Sequence, residues 1–267
     1  MSRPVVTFLT DYGPGSEYAG ALHAVVAAAC PEADRLDLAH DVPRGDIRMG
    51  ALLLARLAPM LPEAIHVAVV DPGVGTDRRG VAVALESGGA LVGPDNGLLG
   101  PAARLLGPRA AALLEPPPDA PATFHGRDVF APAAARLAAG EEVEALDPAI
   151  DPASLASPEL PPARVRPGWL EAPAVGVDRF GNVQLLAGPG DLAAAAFARG
   201  DRIWAATGER RHPATVARAF GDVARKALMV YLDSHDMVAL AVNDGSAAAR
   251  VGVAPGDTVT LARWELA

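Results

Sequence analysis

The stretch Ile65-His66-Val67-Ala68-Val69-Val70-Asp71-Pro72-Gly73 decides the fold, because an apolar run of strand length stops abruptly at an acidic turn. Two other apolar segments end in the same way, at Thr10-Asp11-Tyr12-Gly13 and at Gly93-Pro94-Asp95-Asn96-Gly97. In open α/β sheets, ligands bind in the crevice beyond the carboxyl ends of the strands. We therefore expect the three acidic turns to converge on one crevice.

Strand-like and helix-like segments alternate through the first half of the sequence. The patterns predict strands over residues 4–10, 35–39, 65–70, 81–85 and 90–92, and helices over residues 17–30 and 46–60. Asp46 is a suitable N-cap for the second helix. Strands separated by helices predict an α/β fold, with an N-terminal mostly parallel sheet flanked by helices on both faces.

A Pro-rich stretch, residues 151–168, is predicted to link an N-terminal domain (1–150) to a C-terminal domain (169–267). Beyond it, short β-like runs follow one another without long helices between them. These runs cover residues 174–177, 183–186, 202–206, 227–231, 237–242 and 258–262. The pattern predicts a smaller C-terminal antiparallel β domain, either barrel-like or a sandwich.

Composition excludes several classes of protein. A net charge of −9 and only 4% aromatic residues argue against a nucleic-acid partner, which needs a basic face. No apolar run approaches the roughly 20 residues of a membrane helix, and the first residues do not resemble a signal peptide. The single cysteine, Cys30, excludes an intrachain disulfide and a Cys-based zinc site. We expect a cytoplasmic protein without a membrane partner.

The segment from Asp71 to Arg79 carries the strongest local signal for a functional site. Pro72 restricts the backbone after the strand, and the glycines at 73 and 75 permit positive φ or close approach of a ligand. Arg78, seven positions after Asp71, can face that carboxylate across the loop. The alternative is a tight turn with a solvated Arg pair.

A second signal is Phe124-His125-Gly126-Arg127-Asp128, which leads into an Ala-rich helix. Here His125 can reach into a cleft, or it can pack against the turn while Arg127 and Asp128 pair locally. The other histidines stand in no comparable constellation. His66, within a core strand, is predicted to be a hydrogen-bonded core histidine, and His40 at a strand end is a weaker candidate.

The third signal, Asp178-Arg179-Phe180-Gly181-Asn182, places a carboxylate, an aromatic ring and an amide on one turn. Such a turn can hold an amino acid or a purine, with Phe180 as an apolar wall. It can equally be an Asx-type hairpin turn with Phe180 in the core. Two later stretches, residues 231–234 and 241–248, can line the same pocket or form an ordinary hairpin.

Taken in order, these segments resemble the S-adenosylmethionine (SAM) hydroxide adenosyltransferases, which are hydrolytic relatives of the fluorinase and chlorinase enzymes. The resemblance covers nearly the whole chain. It is carried by T-D-Y-G (10–13), D-P-G-V-G-T-D-R-R (71–79), G-P-D-N-G (93–97), F-H-G-R-D (124–128), D-R-F-G-N (178–182) and A-V-N-D-G-S-A-A (241–248).

The resemblance implies a catalytic set of Asp71, Arg78 and His125 acting on an attacking water, with no metal and no cofactor. It places Asp11 on the ribose hydroxyls of SAM, and Asp178 and Asn182 near its methionine end and adenine. It also implies a homotrimer with sites between subunits. The predicted substrate contacts are Asp11, Tyr12, Asp95, Asn96, Asp178, Phe180, Asn182, Ser234, Asn243 and Ala247.

The implied reaction is hydrolysis of SAM to adenosine and methionine by attack of water on the ribose 5′-carbon. A halogenase is the nearest alternative, but such relatives lack the Asp-Arg-His set and carry a halide loop. Between Leu85 and Phe124, apart from the strand predicted over 90–92, the sequence shows only a Pro-rich stretch and no place for a specialised halide loop. Two further alternatives are a metal-dependent phosphoesterase that uses Asp11, His40, Asp71 and His125, and a non-catalytic sensor of adenosyl ligands.

Overall fold

The computed structural model describes residues 3–146, 148–157 and 161–264. Parts of the predicted domains and linker lie outside the described residues, at 1–2, 147, 158–160 and 265–267. The chain divides into two compact units, Met1–Pro158 and Glu159–Ala267. Among the helices of the described part, none is both long enough and apolar enough to cross a membrane.

The first unit is built on a seven-stranded sheet. Its strands are β1 (Val5–Thr10), β2 (Asp34–Ala39), β3 (Ile65–Val69), β4 (Gly80–Leu85), β5 (Ala90–Pro94), β6 (Pro108–Leu114) and β7 (Ala149–Ile150). They lie in the order β2-β1-β3-β5-β4-β6-β7. The first four in this order pair in parallel, and the other pairs are antiparallel. The predicted mostly parallel sheet is confirmed.

Helices cover both faces of this sheet, as predicted. They are α1 (Glu17–Ala29), α2 (Ile47–Leu57), α3 (Gly100–Leu106) and α4 (Ala131–Ala138), with a π-helical turn over Gly126–Phe130 and 3₁₀ turns over Ala58–Met60, Val143–Ala145 and Pro152–Ser154. α1 contacts α4, and α2 contacts α3. Successive strand residues point to opposite faces. Accordingly, Phe8 of β1 belongs to one core cluster and Leu9 to the other.

The order of strands places two of the acidic turns side by side. β1 has β2 on one side and β3 on the other, so the β1/β3 boundary is the point where the strand order reverses. Thr10 and Val69 are register partners at the ends of these two parallel strands. The turns that begin at Asp11 and Asp71 therefore leave the same edge of the sheet, where ligand sites of open α/β sheets occur.

The interval between residues 85 and 124 contains more structure than the sequence predicted. Besides the predicted strand β5, it holds α3 and β6, where the sequence predicted no helix or strand. β6 includes three consecutive alanines, which have low β propensity, and its place between β4 and β7 is set by tertiary pairing. The N-cap prediction is confirmed, because the Asp46 side chain accepts a hydrogen bond from the Met49 amide at 3.0 Å.

The second unit is a β-barrel. Its strands are β8 (Arg164–Arg166), β9 (Trp169–Val177), β10 (Val183–Leu185), β11 (Arg202–Thr207), β12 (Arg210–Val216), β13 (Leu228–Leu232), β14 (Val238–Val242) and β15 (Thr258–Arg263). The order β10-β14-β13-β12-β11-β15-β9 closes through pairing of β9 with β10, and β8 pairs with β9 outside the ring. The short helices are α5 (Pro189–Ala194), α6 (Ala247–Val251) and a 3₁₀ turn over Phe220–Asp222.

The barrel agrees with the predicted architecture with three exceptions. β8 lies within the stretch that was predicted to be a linker. β12 was missed, and it pairs in parallel with β13, whereas the other pairs of this sheet are antiparallel. β12 contains Pro213 and several polar residues, so its sequence lacks the apolar signal of a strand. The barrel interior is filled by aliphatic side chains that alternate along the strands.

Candidate active site

Asp71 and Arg78 form a two-point ion pair at the carboxyl end of β3. Arg78 Nε donates to Asp71 Oδ1 at 3.1 Å, and Arg78 Nη2 donates to Asp71 Oδ2. The Arg78 side chain is 8% exposed and the Asp71 side chain is 5% exposed. This is the facing arrangement that the spacing suggested, and the alternative of a solvated Arg pair does not describe Arg78.

The loop between these two residues is held in shape by its own hydrogen bonds. The Thr76 hydroxyl donates to the Gly73 carbonyl at 2.7 Å, and the Thr76 amide donates to the same oxygen at 3.2 Å. Gly75 has a φ of +80°, and a Cβ there would lie 2.9 Å from the Ala122 carbonyl oxygen. Glycine is therefore required at position 75 by both conformation and space.

His125 joins the pair from a different part of the chain. It lies at the start of the π-helical turn before α4 and is 8% exposed. Its Nδ1 lies 3.1 Å from Arg78 Nη2. A guanidinium can only donate hydrogen bonds, so Nδ1 must be the acceptor and the proton of the neutral ring resides on Nε2. Arg78 thus contacts both other members of the set.

The electrostatic environment favours this neutral tautomer. Burial lowers the pKa of His125 below its ordinary value, the positive charge of Arg78 lowers it further, and the carboxylates of Asp71 and Asp128 only partly oppose the shift. Near neutral pH, His125 is accordingly an uncharged hydrogen-bond donor at Nε2.

A cleft of about 680 Å³ opens at this edge of the sheet, and it is lined by Asp71, His125, Asp11 and Tyr12 among others. Arg78 is not among the lining residues, so its guanidinium supports the cleft wall from within the protein. Asp11 Oδ2 accepts a hydrogen bond from the Gly45 amide at 2.8 Å, which fixes the carboxylate at the cleft.

Tyr12 packs against Gly126, which also lines the cleft. A Cβ at Gly126 would lie 2.4 Å from the Tyr12 hydroxyl oxygen, so the missing side chain makes room for the phenol. Burial raises the pKa of Tyr12, and the nearby charges of Asp11 and Asp71 raise it further. The phenol therefore remains protonated at physiological pH.

Sequence reasoning missed three residues that line this cleft: Tyr18, Arg44 and Phe124, of which Phe124 was named only within its motif. Tyr18 packs edge-on against Phe124, with ring centroids 5.1 Å apart, and Tyr12 lies 6.0 Å from the same ring. The three rings form an aromatic wall. Tyr18 is an exposed residue in the first turn of α1, so nothing in the local sequence separates it from an ordinary surface tyrosine.

The third acidic turn is used differently. Asp95 pairs with Arg79 and accepts a hydrogen bond from the Ala156 amide at 2.7 Å. Asn96 donates to the Val70 carbonyl at 2.9 Å and accepts from the Leu98 amide at 3.2 Å. These side chains fasten the ends of β3 and β5 and do not line the cleft, so a role as substrate contacts stays a prediction.

The second unit has its own cleft of about 710 Å³, lined by Asp178, Phe180 and Asn182 together with residues of β13, β14 and their flanking loops. Asp178 Oδ1 accepts from the amides of Phe180 and Asn182 at 2.8 and 2.9 Å, and Oδ2 accepts from Asn182 Nδ2 at 2.8 Å. The motif is thus an Asx-type turn that also borders a cleft.

Phe180 is the exposed member of this turn. Its side chain is 65% exposed, so it does not belong to the core, as the alternative interpretation required. The Arg179 guanidinium lies 4.8 Å from its ring centroid. Phe220 and Tyr231, which line the same cleft, have ring centroids 5.7 Å apart. The cleft therefore presents aromatic surface beside the Asp178 turn.

The remaining predicted contacts of the second unit are not among the residues that line this cleft. Ser234 is at the exposed tip of the β13–β14 hairpin. Asn243 donates to the carbonyls of Phe220 and Val223 at 3.1 and 3.0 Å. Ala247 is fully buried at the start of α6. Their predicted roles toward a substrate stay predictions.

Three further histidines contact other side chains through their ring nitrogens. His66 is fully buried, and its ring nitrogens lie 2.7 Å from Thr7 Oγ1 and 3.1 Å from the Leu61 carbonyl oxygen. Burial lowers its pKa to about 4, so it is the hydrogen-bonded core histidine that was predicted. His23 and His40 both contact Asp37, a cluster that the sequence did not predict.

The alternative metal site of Asp11, His40, Asp71 and His125 does not assemble in the described part of the chain. The group of three potential ligands found there is His23, Asp37 and His40. His40 Nε2 faces Asp37, and His125 Nδ1 faces the Arg78 guanidinium. The four side chains of the proposed phosphoesterase site thus do not present three ligand atoms to one point.

Each unit matches a domain model of the same protein family. Residues 6–147 match the SAM hydroxide adenosyltransferase N-terminal domain, and residues 173–260 match the SAM hydroxide adenosyltransferase C-terminal domain. The two matches together cover well over half of the chain.

Individual relatives agree with this assignment. The chain is 46% identical over 263 residues to an (R)-S-adenosyl-L-methionine hydrolase of Salinispora tropica, covering 97% of each chain. It is 42% identical over 273 residues to one of Thermus thermophilus, covering 97% of this chain and 99% of the relative. A fluorinase of Actinopolyspora mzabensis is more distant, at 24% identity over 211 residues, with 68% and 71% covered.

A solved structure shows the same fold. A crystal structure of an uncharacterized conserved protein from Thermotoga maritima matches with a TM-score of 0.88 at 31% identity, covering 97% of this chain and all of that one. Motifs, fold and relatives agree, and the chain belongs to the SAM hydroxide adenosyltransferase family.

Proposed function

We propose that this protein hydrolyses SAM to adenosine and methionine by attack of water on the ribose 5′-carbon. The relatives named hydrolases, at 42–46% identity over nearly the full chain, support the reaction. The observation that carries the proposal in this chain is the contact of Arg78 with both Asp71 and His125 at a cleft.

The tautomer of His125 assigns a role to each member of the set. With Nδ1 accepting from Arg78, the opposite nitrogen Nε2 bears a hydrogen and donates to the oxygen of a bound water. Each oxygen of Asp71 accepts one hydrogen bond from Arg78, and a carboxylate has about four lone-pair sites, so Asp71 retains capacity to accept from the water. Arg78 is the positioning residue that holds both.

The reaction then balances without an acid for the leaving group. The water oxygen forms a bond to the 5′-carbon while the bond from that carbon to the sulfonium sulfur breaks, with its electron pair going to sulfur. Methionine leaves as a neutral thioether, and the proton released by the attacking water passes to Asp71. Fixing the water in attack geometry supplies roughly 7–11 kcal/mol when alignment is good.

Charges of both signs line the first cleft, with Arg44 and Arg127 beside the carboxylates. Asp11 and Asp71 are both at its surface. Attack of water neutralises the sulfonium, so a cleft with little solvent favours the transition state over the charged ground state. In the second unit, the exposed ring of Phe180 offers a stacking surface to a base or an apolar side chain.

The names of the relatives define the substrate more narrowly. They specify the (R) form of SAM, an epimer that the sequence analysis did not distinguish. We therefore propose that this chain prefers the (R) epimer at sulfur. We also propose that it needs no metal or cofactor for turnover, acts in the cytoplasm and assembles as a homotrimer with sites between subunits. The family resemblance supports the assembly, and the single cysteine is compatible with the compartment.

The decisive experiment is turnover of each SAM epimer in oxygen-18 water, followed by mass spectrometry of the products. We expect labelled oxygen in adenosine, unlabelled methionine and faster turnover of the (R) epimer. Parallel reactions with excess chloride or fluoride should yield no halogenated nucleoside, and treatment with a chelator should leave the rate unchanged. Absence of label from both products, or binding of both epimers without turnover, would contradict the proposed hydrolysis of SAM.

A further inference from the structure

A second cluster of chemically active side chains lies away from the lining of the first cleft. His23 of α1, Asp37 of β2 and His40 just after β2 bring one ligand atom each to within 4.8 Å of one another. His23 Nε2 lies 2.6 Å from Asp37 Oδ1, and His40 Nε2 lies 3.0 Å from the same oxygen. The reaction proposed above uses none of these three residues.

Both imidazole rings are held in place by buried neighbours. His23 packs against Phe8, with ring centroids 4.5 Å apart, and Phe8 is fully buried. His40 Nδ1 lies 2.8 Å from the hydroxyl of Thr10, which is also fully buried. A hydroxyl can accept the Nδ1 proton of His40, which leaves the Nε2 lone pair for a metal ion. Ring nitrogens of metal-bound histidines are commonly held in this way.

The carboxylate and the access route also suit an ion. Asp37 Oδ1 accepts a hydrogen bond from His23 Nε2 at 2.6 Å, whereas the buried Nε2 of His40 makes no hydrogen bond within the described residues. The side chain of Asp37 is 50% exposed, that of His23 is 30% exposed and that of His40 is 8% exposed. Solvent therefore reaches the cluster from the Asp37 side.

We propose that His23, Asp37 and His40 bind a divalent transition-metal ion such as Zn²⁺, with water completing the coordination. Two imidazoles and one carboxylate, with open positions, form a common zinc ligand set. Ligand atoms of a tetrahedral zinc site lie about 3.4 Å apart. The Asp37 carboxylate must therefore move away from each imidazole nitrogen by less than about 1 Å, which its half-exposed position on the edge strand β2 permits.

The ligand chemistry selects among cations. Imidazole nitrogen suits zinc, copper, nickel and iron, whereas calcium and magnesium prefer all-oxygen sites. The ligands carry one negative charge, so a divalent ion leaves a net charge of +1, which nearby solvent can stabilise. The site is thus a candidate for borderline transition metals and not for the hard alkaline-earth ions.

The proposed metal site is connected to the turn that carries Asp11. The His40 carbonyl accepts a hydrogen bond from the Gly13 amide at 2.7 Å, and the Thr10 hydroxyl accepts one from the Tyr12 amide at 3.1 Å. An ion that fixes His40 therefore also restrains the turn after β1. Metal binding should stabilise the folded chain, because only the folded chain brings the three ligands together.

The test is a titration of the full chain, without a polyhistidine tag and after chelator treatment, with Zn²⁺ alone. Calorimetry and thermal melting should show one ion per chain at micromolar or tighter affinity and a rise in the melting temperature. Co²⁺ in the same site should give the visible absorption bands of a low-symmetry nitrogen–oxygen site.

Asp37→Asn and His23→Gln should each lower Zn²⁺ affinity at least about tenfold and abolish the rise in melting temperature. His235→Gln, which removes an exposed histidine of the second unit, is the matched control and should bind as the wild type does. Absence of stoichiometric binding in the wild type, or equal affinity in all three variants, would overturn the proposal. Neither result bears on hydrolysis, because no SAM is present in the titration.

Discussion

The two clefts use a carboxylate in opposite ways. In the first unit, Asp71 accepts from a guanidinium that also reaches an imidazole 47 residues farther along the chain. In the second unit, Asp178 accepts from two amides and one side chain that lie within four residues of it. The first cleft therefore brings together titratable groups that are distant along the chain, whereas the second builds a local turn that displays an aromatic ring.

The largest expected effect comes from Asp71→Asn. This change removes the proton acceptor and one charge of a buried ion pair, so kcat should fall by about 10²–10⁴-fold with little change in KM. Steady-state kinetics with SAM measure it, and circular dichroism checks folding. Asp77→Asn, an exposed residue of the same loop, is the control and should retain wild-type kcat. A folded Asp71→Asn enzyme with normal kcat would remove this carboxylate from the chemistry.

A change in the second cleft should affect binding instead. Phe180→Ala removes an exposed ring, and stacking of a base on an aromatic ring contributes about 1–3 kcal/mol, so KM should rise roughly 10–100-fold while kcat changes little. The same kinetic assay measures both constants. Trp264→Ala removes another exposed aromatic outside both cleft linings and should leave KM unchanged. A fall in kcat of the size expected for Asp71→Asn would erase the distinction between the clefts.

One glycine beside each cleft tests how closely its neighbours pack. At Gly126 an added Cβ collides with the Tyr12 hydroxyl oxygen, so Gly126→Ala should destabilise the protein by about 1–3 kcal/mol. Tyr12→Phe in that background should restore part of the lost stability.

Gly181 has a φ of +80°, and a Cβ there would lie 2.9 Å from the Ser246 Cα. Because Ser246→Ala keeps that atom, it should not rescue Gly181→Ala.

Urea unfolding of the single and double variants measures these free energies. Rescue of Gly181→Ala by Ser246→Ala would show that a flexible side chain, and not the backbone, limits position 181. Failure of Tyr12→Phe to rescue Gly126→Ala would show that other neighbours, such as Leu22, limit position 126.

The smallest expected effect is the change of kcat/KM with pH near neutrality. Burial and the charge of Arg78 hold the pKa of His125 below 6.5, so kcat/KM should be nearly flat from pH 8 to about 6.5 and fall in more acidic solution. Protonation removes the acceptor at Nδ1 and places two cations side by side. The same shift makes acid destabilise the folded state, because the unfolded chain takes up the proton at higher pH.

Rate profiles of the wild type, His125→Gln and Phe180→Ala distinguish the clefts. Phe180→Ala should keep the acid limb, because it does not touch His125, and His125→Gln should lose it. An unchanged acid limb in His125→Gln would assign the titration to another group.

Much of the fold was predictable because its signals are local. The turns after β1, β3 and β5 are written in short acidic motifs, and Asp46 caps α2 as its position indicated. β6 and β12 were missed, because an alanine run and a polar segment with a proline do not signal strands. Their structure depends on neighbours in the sheet.

The candidate site was predicted unevenly for the same reason. The Asp71–Arg78 pair spans one short loop and followed from spacing. The contact of Arg78 with His125 was expected only from the family resemblance, since nothing in the residues between them indicates it. Asp95 resembled the other strand-end carboxylates in sequence, yet in the fold it pairs with Arg79.

The sequence alone determined the alternation of strands and helices, the acidic turns and the Asx turn at Asp178, because each depends on residues within a few positions of one another. Only the tertiary structure decided the tautomer of His125, the aromatic wall around Tyr18 and the meeting of His23, Asp37 and His40. Those features join side chains that are distant along the chain, and their contacts exist only when strand order and helix packing bring them together.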